Sequence, residues 1–115
     1  MTISHIGYPM QLYSGTATSS SDTHSSSINT KYVNEGTFFL DITAVSGTSP
    51  TLVVEIETYN TIADKWQTIG TFSSRSAIAD DIGQIEFGLG EQVAISYTIG
   101  GTTPSFTFSV NASLK

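Results

Sequence analysis

The chain has no cysteine. That excludes disulfide frameworks, cysteine-ligated zinc sites and thiol nucleophiles, and it fits a reducing compartment or assembly inside a cell. Basic residues are nearly as scarce: Lys31, Lys65, Arg75 and Lys115 stand against ten acidic residues, for a net charge of -6. A nucleic-acid backbone or an anionic bilayer needs clustered Lys and Arg, so neither is expected as a partner. Charged residues of both signs make up 12% of the chain, about half the usual share of a soluble domain. No apolar run approaches a membrane-spanning length. Met1-Thr2-Ile3-Ser4-His5 shows neither the basic start nor the apolar stretch of a signal peptide, so a soluble protein without an export signal is expected.

What takes the place of charge is hydroxyl and amide. Ser, Thr, Asn and Gln fill the positions between apolar residues, and such surfaces suit packed assemblies, where a buried hydroxyl costs less than a buried unpaired charge. At 115 residues there is room for one domain, which buries roughly 65% of its unfolded surface without metals or disulfides.

Period two runs through the chain and helical period is nowhere sustained. Phe38, Leu40, Ile42 and Ala44 alternate with Thr37, Phe39, Asp41 and Thr43; Leu52, Val54 and Ile56 alternate with Val53, Glu55 and Glu57. The same holds for Val93, Ile95 and Tyr97 and for Phe106, Phe108 and Val110. Each strand then has one core face and one hydroxyl-rich face, as antiparallel sheets solvated on one side do. Further strands are expected at Tyr8–Tyr13, Ile28–Val33, Lys65–Phe72 and Gln84–Leu89, and a helical turn near Ser76–Asp81. An all-β antiparallel β-sandwich of about seven to nine short strands, jelly-roll or Ig-like, is the natural reading.

Two stretches nearly repeat. Val45-Ser46-Gly47-Thr48-Ser49-Pro50-Thr51-Leu52 recurs as Ile99-Gly100-Gly101-Thr102-Thr103-Pro104-Ser105-Phe106. Each lies between alternating runs, so each is expected to turn a β-hairpin, joining 37–45 to 51–59 and 91–99 to 105–112, with Gly supplying positive φ and Pro closing the turn. Residues 1–35 read as a Ser/Thr-rich arm with the first strands, and 36–115 as the sandwich core of a single domain. Ser14–Ser27, almost all Ser, Thr, Gly and Ala, reads as a flexible connection or an extended edge segment, ordered on assembly against a neighbour. Ser19, Ser20 and Ser21 are its candidate interface residues.

Candidate chemistry is sparse. Ser21, Asp22 and His24 compose a Ser–His–Asp set on paper, but in a run of serines this arises by chance and nothing in the sequence holds the imidazole. The other histidine is His5. Asp80 and Asp81 with Glu86 and Glu91 supply oxygens for Ca²⁺ without the spacing of a calcium loop. Glu55 and Glu57 share a strand face, as paired glycosidase carboxylates do, but a small sandwich seldom builds the cleft they need. Asn111-Ala112-Ser113 matches the glycosylation pattern on an expected strand. Neither catalytic residues nor a metal or cofactor are assigned. Phe39, Tyr59 and Trp66 lie off the apolar register or near a loop. Core packing is the first expectation for Trp66, with a protein interface and a sugar-stacking platform as alternatives.

The segment from Phe39 to Leu52, a strand ending in Asp-Ile-Thr-Ala-Val-Ser-Gly-Thr-Ser-Pro-Thr-Leu, then strand Val53–Tyr59, loop Asn60–Asp64 and Lys65-Trp66, resembles a stretch of small virion proteins of tailed bacteriophages. Ile99–Val110 is similar to the closing strands of that group. The resemblance covers roughly residues 36 to 112. It implies a β-sandwich virion structural protein made in the host cytoplasm, most specifically a capsid decoration or cement protein on the head surface. Its partner would be the major capsid protein or another virion protein, and analogy suggests a homo-oligomer, a trimer. Tail- or neck-associated proteins of the same architecture, including carbohydrate- or receptor-binding modules, are the alternative. No catalytic residue comes with the resemblance.

Overall fold

A computed structural model describes residues 8–85 and 89–115. His5, Glu86 and Phe87 lie outside the described residues. Seven strands follow in order: β1 (Tyr8–Ala17), β2 (Ser21–Asp22), β3 (Ile28–Asn29), β4 (Gly36–Asn60), β5 (Lys65–Thr71), β6 (Ala79–Ile85) and β7 (Gln92–Leu114). All pairings are antiparallel, and they join the strands into one sheet that curls into a half-barrel. The chain is all-β, as the alternation requires. The described residues contain one helical turn, a 3-10 turn at His24–Ser26. The turn expected near Ser76–Asp81 is instead a bend leading into β6.

The two expected hairpins do not form. β4 runs 25 residues and β7 runs 23, and they pair with each other along nearly their whole lengths: Phe38↔Ala112, Leu40↔Val110 and Ile42↔Phe108 at one end, Leu52↔Ile99, Val54↔Tyr97 and Ile56↔Ile95 at the other. The repeated motifs lie face to face, with Thr48↔Thr102 at the centre. On one side of that pair the register slips on β7 past Thr103 and Pro104, opposite Gly47; on the other it slips on β4 past Ser49 and Pro50, opposite Gly101. Each glycine thus faces the doubled residues of the other strand, the arrangement of paired β-bulges. Gly47 and Gly101 have φ of 111° and 109°, and Ser49 and Thr103 have 49° and 48°. A Cβ on Gly47 would lie 2.7 Å from the Thr103 carbonyl oxygen, and one on Gly101 2.7 Å from that of Ser49. The positive φ read from the sequence is real, but it serves a crossing of two strands rather than a reversal of one.

The crossing also bends the strands. A straight strand of 25 residues would span about 80 Å, whereas the longest dimension of the molecule is 47 Å. On either side of the bend lies a leaf of the sheet. The first leaf is ordered β1, second half of β7, first half of β4, β6; the second is β5, second half of β4, first half of β7, then β2 and β3 on one edge. The order of one repeats that of the other about a local two-fold through Thr48 and Thr102. One extra residue breaks the repeat: β4 bulges between Ile42 and Ala44.

The inner faces of both leaves form one apolar cluster, with Phe38, Leu40, Ile42, Phe106, Phe108 and Val110 from the first and Leu52, Val54, Ile56, Val93, Ile95 and Tyr97 from the second. Tyr97 meets Phe108 edge-on at 5.4 Å between ring centroids, and Tyr13 stacks on Phe108 at 4.6 Å. Burial, with a hydrogen bond to Tyr97, raises the Tyr13 pKa. Phe72 closes the other edge: its backbone N–H donates to the Val54 carbonyl at 2.9 Å, and its ring lies beside Gly83 of β6. Arg75 bridges Leu52 through the backbone and pairs its guanidinium with Asp81 on β6.

The Ser14–Ser27 segment is an edge. Ser14–Ala17 continue β1 against Phe106–Ser109, and Ser21 and Asp22 pair with Tyr97 and Ser96. Thr30, deeply buried, donates its hydroxyl to the Gly90 carbonyl and anchors the chain after β3.

Candidate functional site

By strand alternation each leaf has an outer face, and the two faces carry the candidate residues. On the second leaf Glu55, Glu57 and Tyr59 of β4 face outward, with Trp66 and Thr68 beside them on β5 through the registers Tyr59↔Trp66 and Glu57↔Thr68. Trp66 is therefore not part of the apolar core, where it was first expected. It is half-buried on the outer face, with Tyr59 edge-on at 5.4 Å. The other neighbour is His24, whose ring stacks on the indole at 4.4 Å with 7° between planes.

Both ring nitrogens of His24 face carboxylates. Nε2 lies 2.7 Å from Glu57 Oε1 and Nδ1 lies 3.4 Å from Asp22 Oδ1, which also accepts the His24 backbone N–H at 3.0 Å. That last bond is the local Asx geometry expected of Asp two residues before its donor. The imidazole is thus held, contrary to expectation, but not in the arrangement of a Ser–His–Asp triad. In a hydrolytic triad one nitrogen faces the nucleophile hydroxyl; here Glu57 occupies that place, and no hydroxyl bonds His24 among the described residues. Glu55 accepts a hydrogen bond from Thr68 Oγ1 at 2.9 Å. The two glutamates are engaged separately rather than opposed across a cleft.

On the first leaf one row across the sheet reads Gln11, Asn111, Phe39, Ile82, and the next reads Ser14, Ser109, Asp41, Asp80. Gln11 Nε2 donates to Asn111 Oδ1 at 3.1 Å, and the Thr16 and Thr107 hydroxyls bond at 2.8 Å. Asn111 is tied into a central strand, an unsuitable glycan acceptor. Phe39 is 38% exposed and Ile82 71% exposed, an apolar pair framed by hydroxyls, amides and acids. Asp41 and Asp80 are direct cross-strand neighbours. Hydrogen bonding to Asp80 first, then desolvation and the Asp80 charge, raises the Asp41 pKa.

Among the described residues no group of three or more potential ligands forms a metal site. Asp81 pairs with Arg75 rather than joining Asp80. Glu91 is exposed, and Glu86 is outside the described residues. Ser20 accepts the Ile99 backbone N–H at 2.9 Å, which ties the predicted serine interface to β7, while Ser19 and Ser21 stay exposed. The sequence carried a signal for Glu57, Tyr59 and Trp66 in the strand alternation. For His24 it showed only the nearby Asp22; the partners that seat the ring, Glu57 and Trp66, are far along the chain.

No family model matches the chain, and no curated protein does. Among solved structures it is similar to the crystal structure of PirA, with a TM-score of 0.51 and 10% identity over 99% of this chain and 97% of that one. A likeness that spans both chains at so low an identity shows a shared all-β fold and nothing further.

Proposed function

We propose that this chain is a non-enzymatic virion structural protein of a tailed bacteriophage, and specifically a capsid decoration protein that binds the major capsid protein on the head surface. The observation that carries this reading is the anatomy of the first leaf's outer face. An exposed apolar pair, Phe39 and Ile82, sits inside a field of paired hydroxyls and amides, the arrangement of an apolar centre with a polar rim found at protein interfaces. The resemblance of Phe39–Leu52 and Ile99–Val110 to phage virion proteins supports it, because those segments build the strand crossing and hence the scaffold of the whole domain. Two leaves packed through one core support a sandwich of the jelly-roll or Ig-like kind. The mechanism is mechanical: many copies, as trimers, tie shell subunits together and resist internal pressure. The engagement of both His24 nitrogens by carboxylates supports a role without catalysis.

Co-sedimentation with virus-like particles that lack the protein tests this. Saturable binding at a fixed ratio to the shell protein, with a higher particle melting temperature, is the expected result. Absence of binding to such particles overturns it.

One observation favours a second reading, a tail- or neck-associated carbohydrate- or receptor-binding module. Trp66 and Tyr59 stand beside Glu57 and Asp22 on one face, and aromatic faces flanked by hydrogen-bonding groups stack sugars. Against it, one face of the indole is already covered by His24. A glycan array on which wild type binds and Trp66→Ala does not would establish it.

A further inference from the structure

The local two-fold makes the two outer faces comparable position by position. Phe39 of the first leaf corresponds to Ala94 of the second: Phe38, Leu40 and Ile42 match the inward residues Val93, Ile95 and Tyr97, so the residue between the first two matches likewise. Asp41 corresponds to Ser96, and Asp80, its cross-strand neighbour, to Asp22, the neighbour of Ser96. On the second leaf this spot is covered by the chain itself. The 3-10 turn packs on β7, Thr23 binds the Ile95 backbone, and Ala94 is 1% exposed although it faces outward. The cover contributes a planar nitrogen-bearing ring, His24, stacked on an aromatic and placed between two carboxylates.

On the first leaf the same spot has larger apolar side chains and a second carboxylate, and among the described residues no turn lies over it: Phe39 and Ile82 stay exposed. No basic side chain pairs with Asp41 or Asp80 among the described residues: Arg75 is bound to Asp81 and Lys115 to Glu35. We propose that the outer face of the first leaf, centred on Phe39 and Ile82 and bordered by Asp41 and Asp80, docks an arginine-bearing segment of a partner protein in the place that the 3-10 turn fills on the second leaf. Complementary charge selects the occupant. A guanidinium stacks on an aromatic face and forks onto carboxylates with one planar group, so one arginine satisfies Phe39, Asp41 and Asp80 together. An apolar neighbour on the same segment covers Ile82. The like-charge register of Asp41 and Asp80, unfavourable in the free protein, is then relieved on binding.

This deepens the decoration reading and takes from it only the choice of shell particle, so the experiment has two arms. In the first, Phe39→Ser and the double variant Asp41→Asn, Asp80→Asn are compared with wild type in binding to shell particles lacking the protein. Each is expected to weaken binding at least tenfold with little change in melting temperature, while Tyr59→Ser on the other leaf is expected to keep full binding. In the second, the labelled protein is titrated with the peptide Gly-Arg-Leu-Arg-Gly and with Gly-Glu-Leu-Glu-Gly. Backbone amide shifts confined to positions 39–41 and 80–82, with the arginine peptide alone, are expected. If wild type fails to bind particles but the peptide maps to this face, the decoration reading falls and the docking face stands. If particles bind all variants equally, or the peptides shift the second leaf or nothing, the docking face is refuted.

Discussion

The two leaves of the sheet share strand order, crossing motif and core, yet their outer faces are finished in opposite ways. The second leaf closes its own surface: His24 lies flat on Trp66, and Glu57 and Asp22 occupy both imidazole nitrogens. Among the described residues the first leaf leaves its equivalent surface open, with Phe39 and Ile82 exposed beside an unrelieved acid pair. A repeated fold therefore does not imply a repeated surface. Where one copy satisfies its polar and apolar groups internally and the other does not, the unsatisfied copy is the one that has somewhere to bind.

The comparison rests on the crossing, and the largest effects are expected there. Gly47→Ala and Gly101→Ala each put a Cβ at positive φ and against opposing backbone. Each is expected to cost about 3 kcal/mol or more, from strain and collision together. The test is chemical denaturation of both variants. Similar losses establish a two-fold symmetric crossing; a large loss at one glycine and none at the other breaks the equivalence of the leaves. The next effect concerns the covered leaf. His24→Ala leaves the Glu57 carboxylate, only 12% exposed at its side chain, without its partner, at an expected cost of about 1–3 kcal/mol. Trp66→Ala is expected to cost about 2 kcal/mol, less than a core tryptophan, because the indole is only half-buried. Since the two rings touch, the double variant should lose less than the sum of the two. Strict additivity would show that the stack contributes nothing.

Strand identity was legible in the sequence, strand partnership was not. Alternation places Phe38–Ile42, Leu52–Ile56, Val93–Tyr97 and Phe106–Val110 in strands with the correct face inward, but Ala44, read as the next core residue, is exposed because the bulge after Ile42 shifts the register. A hairpin and a bent crossing present the same alternation on both sides and the same demand for positive φ at the glycine, so Gly47 and Gly101 fit either. What separates them is which distant segment pairs with which, and period two is silent on that. Ser14–Ala17 were harder still, since small residues in an edge strand leave no apolar signature even though Ala17 is buried. Of the candidate site, Tyr59 and Trp66 were marked by their register, and Phe39 by its place off the apolar face. The seat of the His24 ring was not legible, because Glu57 and Trp66 come near it only in the folded sheet.

On the open leaf, stability and binding should separate. Phe39→Ser removes a partly exposed side chain from the outer face and is expected to change stability by no more than about 0.5 kcal/mol, measured by thermal unfolding. The corresponding change on the covered leaf, Ala94→Ser, adds a hydroxyl at a site that is 1% exposed and is expected to cost more, about 1–2 kcal/mol. Equal costs at the two positions would mean that the 3-10 turn does not seal the second leaf.

The smallest effect belongs to the acid pair and separates the leaves by pH alone. Asp41 has a raised pKa through its hydrogen bond to Asp80, with desolvation and the Asp80 charge adding to it, whereas the equivalent register on the second leaf pairs Asp22 with Ser96. A carboxyl whose folded pKa lies above its unfolded value binds more protons folded than unfolded between the two. Stability from this group is then present below the ordinary aspartate value and is lost as pH rises through the folded pKa, the reverse of a salt-bridged carboxylate. Asp80→Asn removes the Asp80 carboxyl as hydrogen-bond partner and as like charge but leaves the desolvation, so Asp41 should titrate lower and this local pH dependence should shrink. Carboxyl carbon shifts of Asp41 followed from pH 3 to pH 7 in both proteins read this directly. An Asp41 titration unmoved by Asp80→Asn would show that the two carboxyls do not interact, and the open leaf would lose its case for a cationic partner.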